Sequence, residues 1–218
     1  MKKQKPQTAA PQIPANPTIS SLREAAAGCK ACDLWMRGTQ TVFGEGGMHV
    51  RVMLVGEQPG DQEDIQGRPF VGPAGKLLDK VLEQVGIDRN ETYVTNAVKH
   101  FKWEPRGKRR IHKKPNVSEI TACKPWIEAE IEVLKPEVIV CLGATAAQAL
   151  LGRDFRVSVQ RGEWVKSNFA PYVIATVHPS SLLRAPDEDT RRMELQRFAD
   201  DFRVVAEVIH KLPRKGAA

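Results

Sequence analysis

The chain has 218 residues, 41% of them apolar, enough to bury one good core and so to form one domain rather than several. It contains no run of about 18 apolar residues, and no apolar segment follows the N-terminal lysines. Neither a membrane span nor a secretory signal is therefore expected, and the expected compartment is the cytoplasm or nucleoid. A formal net charge of +7 and a pI near 9.3 suit a polyanionic partner, chiefly nucleic acid, without specifying one.

Residues 1–18 scatter Pro6, Pro11, Pro14 and Pro17 among lysine, glutamine and alanine, a composition that predicts a mobile tail. A single domain is expected over 19–211, with 212–218 as a flexible end. Ser20 or Ser21 is placed to cap a short helix running to about Ala27. Val50–Gly56 is a continuous apolar run of strand length, and 72–86 has helical periodicity, with Leu77, Leu78, Val81, Leu82 and Val85 on one face. Thr92–Val98 reads as the next strand and Val117–Leu134 as a helix stopped by Pro136. Val138–Leu142 reads as a strand, Ala144–Leu151 as a short helix, Tyr172–Val177 as a strand, and 187–210 as a long amphipathic helix. Apolar strands separated by helices predict a three-layer α/β fold, with a central parallel four-stranded sheet flanked by helices. Such sheets place ligands at the carboxyl ends of their strands, here residues 56–64, 96–114, 143–145 and 178–184.

Three of those ends carry distinctive residues. The first reads GEQPGDQED and continues into GRPFVGPAG, a stiff Gly/Pro loop presenting Glu57, Gln58, Asp61 and Phe70 beside a helix start. It also fits an ordinary acidic βα loop, and it lacks the glycine spacing of a dinucleotide fingerprint. The second carries Asn96, whose amide either forms a turn or donates and accepts on the edge of a base. The last reads HPSSLLR. Here His178 can donate to an anion, Ser180 and Ser181 open a helix suited to phosphate, and Leu182 and Leu183 either wedge a base stack or lie buried under a capped helix.

GEQPG, GRPFVGPAG, TNAVK and HPSSLLR, in that order across residues 20–210, resemble the uracil-DNA glycosylase superfamily, specifically its iron–sulfur branch, family 4. The resemblance implies an enzyme that flips uracil out of DNA and cleaves its glycosidic bond. In it Phe70 stacks on the base, Asn96 and the Gln58 position face its polar edge, His178 stabilises the departing anion, and Ser180, Leu182 and Arg184 hold and wedge the DNA. It also implies a [4Fe–4S] cluster. Cys29 and Cys32 have ligand-pair spacing, Cys123 opens a matching helix segment, and His100 stands where the branch has its remaining cysteine, so the implied ligands are Cys29, Cys32, His100 and Cys123. Cys141, inside an apolar strand, reads as a plain buried thiol.

Residues 103–115, WEPRGKRRIHKKP, hold the densest positive charge, with Lys108, Arg109 and Arg110 read as phosphate contacts around His112. Gln58 replaces the aspartate that activates water in the best-studied branch of the superfamily, and glutamine is no general base. GEQPGDQED together with KRRIH resembles the family X uracil-DNA glycosylases, which crosslink to DNA through the histidine of this loop. That resemblance makes His112 the nucleophile, kept neutral by flanking cations, with Glu57 and Asp61 as candidates to orient it or to stabilise the sugar cation. The implied partner is uracil-containing DNA, single- or double-stranded, bound by a monomer with no membrane association. The rivals are a hydrolytic glycosylase with turnover and a non-catalytic lesion-binding protein.

Overall fold

Short apolar strands alternate with helices in the computed structural model, which describes residues 8–47 and 49–213. The strands are β1 (Glu45–Gly46), β2 (Val52–Gly56), β3 (Thr92–Asn96), β4 (Trp103–Arg106), β5 (Arg109–His112), β6 (Val138–Leu142) and β7 (Tyr172–Thr176). The helices are α1 (Ile19–Ala27), α2 (Asp61–Gln66), α3 (Pro73–Val85), α4 (Val117–Leu134), α5 (Ala144–Leu151), α6 (Val157–Gln160), α7 (Pro179–Leu182) and α8 (Glu188–Lys211). The central sheet runs β1-β3-β2-β6-β7, and β3, β2, β6 and β7 are parallel, the expected four strands. A two-residue edge strand, β1, pairs antiparallel to β3 and was not expected. Its Glu45-Gly46 sequence has no apolar signal, and backbone pairing alone makes it a strand.

Alternate strand residues face opposite layers. Val52, Leu54, Val94, Val138, Val140 and Ile174 pack with Leu78 and Leu82 of α3 and with Phe198, Phe202 and Val205 of α8. Met53, Val55, Tyr93, Ile139, Cys141 and Val173 pack on the other side with Ile127 and Ile131 of α4 and Ala146, Ala147 and Leu150 of α5. Both faces are covered, which is why the strands read as apolar runs. Cys141 is a buried core thiol, pushed up to about 12 by burial.

A third apolar cluster joins Leu22 and Ala26 of α1, Cys29, Leu34, Phe43, Val98, Cys123 and Trp126. Part of the segment expected to be a mobile tail belongs to it. Ala9 is fully buried and its N–H donates to Ala122 O at 2.9 Å, and Ile13 packs on the same cluster. Small residues and a proline at the start of the 3-10 turn Ala10–Gln12 let the chain lie flat on α4. Residues 1–7 and 214–218, also assigned to flexible ends, lie outside the described residues.

The basic loop after β3 is a hairpin. β4 and β5 pair antiparallel through a two-residue turn at Gly107 and Lys108. Gly107 has φ +59°, the left-handed conformation that a hairpin turn with glycine at its first central position requires.

Candidate active site

A cavity of about 630 Å³ opens where β2, β3, β6 and β7 end, the crevice predicted for this topology. Its lining includes Glu57, Phe70, Asn96, His112, Thr145 and His178.

Its floor is rigid. Gly56 ends β2, and a Cβ there would meet Asn96 Oδ1 at 2.3 Å and Phe70 Cζ at 2.9 Å, so only glycine admits both side chains. Phe70 itself adopts φ +58°, rare for a residue with a side chain. The start of α3 lies against it, for a Cβ on Gly75 would fall 1.6 Å from Phe70 O. The half-buried carboxylate of Glu63 accepts from the backbone N–H groups of Gly60 and Phe70, which holds this turn. Burial raises the Glu63 pKa against those two hydrogen bonds.

Asn96 ends β3, and its Nδ2 is one of two buried side-chain polar atoms without a hydrogen-bond partner among the described residues. An unsatisfied buried amide donor in a cavity calls for a ligand acceptor. Beneath it, Lys99 Nζ donates to Asn96 O at 3.0 Å and Thr95 Oγ1 at 2.6 Å and forms a fully buried ion pair with Glu130.

His178 caps α7. Its Nδ1 accepts from Ser180 N at 3.2 Å, so the neutral ring carries its proton on Nε2. Burial first, then the charges of Arg184 and His112, push the His178 pKa down to about 4. Its ring lies 6.0 Å from that of Phe70, at 31°. The ring is a neutral donor, suited to an anion forming beside it.

His112 reaches the cavity from the end of β5, with its side chain about half exposed. Its Nε2 lies 3.4 Å from Glu57 Oε1, and Thr145 Oγ1 bonds the other Glu57 oxygen. The His112 pKa is lowered, first by burial and then by Arg184, against an opposing pull from Glu57. Burial and Arg184, rather than the flanking hairpin cations, are what lower it.

Other expectations are corrected. Asp61 does not orient His112, because its Oδ1 accepts from Arg110 Nε at 2.6 Å, and Glu57 is the acid beside the imidazole. Arg110 is not a free phosphate contact. It bridges Asp61 and the fully buried Asp64, lies over the rings of Phe101 and Trp103, and anchors the hairpin. Gln58 lines the cavity, but its amide is committed to the hairpin base: Nε2 donates to Lys102 O at 3.1 Å and Lys113 O at 3.0 Å, and Oε1 accepts from Lys102 N at 3.1 Å. Leu182 is 3% exposed and belongs to the core, whereas Leu183 is 42% exposed. Lys108 and Arg109 are exposed at the hairpin tip, and Ser180 and Arg184 line the cavity. Thr145, Glu63 and Lys114 also line it and were not singled out from the sequence.

Among the described residues no three His, Cys, Asp or Glu side chains converge as they would around a single metal ion, a closer arrangement than the expected four-residue set needs, since each ligand of a cluster binds its own iron. The three cysteines of that set share one region. All are free thiols, Cys29 and Cys32 both lie close enough to act on Cys123, and burial pushes the Cys123 pKa up to about 12. Trp126 Nε1 donates to Cys29 Sγ at 3.3 Å and Lys99 N to Cys123 Sγ at 3.2 Å. Buried sulfurs met by N–H donors suit thiolate ligands of a cluster. His100 is buried, and burial lowers its pKa, which keeps it in the form able to ligate. Its Nε2 lies 3.0 Å from Thr41 Oγ1.

The profile of the Uracil DNA glycosylase superfamily matches residues 43–203. The chain is 40% identical over 169 residues to a Type-4 uracil-DNA glycosylase of Thermotoga maritima, covering 77% of this chain and 84% of that protein. It is 35% identical over 178 residues to a Type-4 uracil-DNA glycosylase of Sulfurisphaera tokodaii, covering 78% of each. A Type-5 uracil-DNA glycosylase of Pyrobaculum aerophilum is 27% identical over 208 residues, 87% of this chain and 86% of that protein.

Proposed function

Since the chain belongs to the uracil-DNA glycosylase superfamily, we propose that it excises uracil from DNA and then captures the abasic sugar covalently through His112. The observation that carries this reading is the Glu57–His112 pair facing a base pocket that ends in Asn96 and His178.

Uracil leaves the stack and enters the cavity against Phe70, where the unpartnered Asn96 Nδ2 donates to a carbonyl oxygen of the base. The C1′–N1 bond breaks with its electron pair leaving on uracil, whose anionic oxygen accepts from the Nε2–H of His178; the anion later takes a proton from water. The sugar is left as an oxocarbenium-like cation, which the Glu57 carboxylate stabilises. An unprotonated nitrogen of His112 donates its lone pair to C1′, forming a C–N bond. The alkylated ring holds the positive charge beside Glu57 until its remaining N–H proton passes to water. Lys108, Arg109, Ser180 and Arg184 contact phosphates, and the exposed Leu183 takes the wedging place first given to Leu182. The substrate is uracil in single- and double-stranded DNA, met by a monomer in the cytoplasm at the nucleoid.

A [4Fe–4S] cluster fits the three thiols, with His100 as fourth ligand. Bound there it would cross-link the N-terminal segment, the β3 end and α4, a structural brace with no part in the bond-breaking step. Protein purified anaerobically is expected to be brown and to contain about four irons; colourless, iron-free protein overturns the cluster.

The chemistry is tested by mixing the protein with a uracil-containing oligonucleotide and running a denaturing gel after heating. A retarded band, absent with thymine, supports capture. Alkali-sensitive DNA without that band assigns a hydrolytic glycosylase with turnover, and bound but intact DNA a non-catalytic sensor.

A further inference from the structure

Thr145 is the second residue of α5, 2% exposed, and its hydroxyl bonds Glu57 Oε2 while Glu57 Oε1 faces His112. A carboxylate only accepts, so the threonine hydroxyl donates. The rest of Glu57 is fixed from the sheet side, since its backbone oxygen accepts from Val98 N at 3.0 Å. The side chain still has three rotatable bonds, and among the described contacts Thr145 is the group that sets its far end. Threonine is branched at Cβ and rotates little, which makes it a firm anchor. The path to it is short, because Gly143 turns the chain at φ +92° between β6 and α5, where a Cβ would meet His178 Cβ at 3.1 Å. Base-binding histidine, carboxylate and anchor thus meet at one strand end.

We propose that Thr145 is a positioning residue that decides whether the sugar cation is captured by His112 or released by water. The inference rests on the covalent reading above. Once C1′–N1 has broken, two nucleophiles compete: the His112 lone pair, giving a C–N bond and an imidazolium, and water, giving a C–O bond and a proton. With Thr145 holding one oxygen, the other Glu57 oxygen stays against His112, steadying the ring and the charge it gains. Without the hydroxyl, the carboxylate turns free and can accept the proton of an incoming water, so hydrolysis gains.

The test measures, on a uracil oligonucleotide, uracil released and the ratio of crosslinked to free abasic DNA. Thr145→Val and Thr145→Ala are expected to lower that ratio about tenfold or more, the scale of one hydrogen bond to a charged group. Thr145→Ser is expected to restore it. Loss of stability alone lowers uracil release and crosslink together and leaves the ratio unmoved. A wild-type ratio in both hydroxyl-free variants overturns the role. So does loss of uracil release in both with its return in Thr145→Ser, which would put the hydroxyl in cleavage or folding. Wild-type protein that releases uracil and never crosslinks overturns the covalent reading instead.

Discussion

The cavity floor and the hairpin that closes one side of it are held by different forces. Asn96 ends β3, His178 follows the end of β7, and Phe70 lies in the turn before α3 packed against Gly56 at the end of β2, and the residues of these strands are sunk in the two main cores. His112 stands on a two-stranded ribbon whose residues are mostly exposed, and polar ties fix that ribbon: the Gln58 amide at its base, Arg110 against Asp61 and Asp64, and Trp103 Nε1 to Arg37 O at 2.9 Å. A two-stranded ribbon has little stability alone, so these ties give the hairpin its place. Base recognition is therefore bound up with folding, whereas attack on the sugar hangs on a separable element.

The sharpest way to break that comparison is His112→Ala. Crosslinked product is expected to fall on the order of a thousandfold or more, with uracil still released; unchanged crosslinking on a denaturing gel would remove the hairpin from the chemistry. Next comes Asn96→Ala, for which uracil release should fall roughly a hundredfold, crosslinking falling with it. Single-turnover release and crosslink yields measured together would reveal a floor residue that affects only one of them. Gln58→Ala tests the polar ties: the crosslinking rate is expected to fall about tenfold through a loosened hairpin, while the melting temperature moves by only a few degrees. Global unfolding in that variant would show that the hairpin is part of the core after all.

The smallest effect is that of pH. Protonation removes the lone pair His112 needs, and its folded pKa lies below the ordinary histidine value of 6.5. Lowering the pH from 8 to 6.5 should therefore slow crosslinking less than about twofold. A rate that already falls about tenfold per unit as the pH is lowered towards 7 would place the imidazole in a different electrostatic setting.

The same division governs what could be read from the sequence. The parallel strands were legible because both their faces are buried, Asn96 and His178 because they sit at or just past strand ends, and Phe70 because it lies in the Gly/Pro-rich segment GRPFVGPAG. The hairpin read as a loop because exposed strands of charged residues carry no apolar alternation; the glycine of Arg106-Gly107-Lys108 was its one local signal. Arg110 and Gln58 look like ligands for DNA and base until their partners, distant in sequence, are in place. Leu182 and Leu183 are adjacent, and a four-residue helix has too little periodicity to say which one is buried. Thr145 lies at a strand end that the topology marks for a ligand, but in an ordinary helix start, and its meeting with Glu57 is what gives it a role.

The crowding around Phe70 has a thermodynamic consequence. With Gly56 and Gly75 leaving no slack on either side, the receptor for the base is shaped before DNA arrives. Little ordering entropy is lost on the protein side when a nucleotide enters, so the thermal cost of recognition falls on the DNA, as unstacking and unpairing. Excision should then track how readily a given site opens, fastest in single strands and mismatches and slowest in stable duplex, with the protein contributing the same rigid template each time.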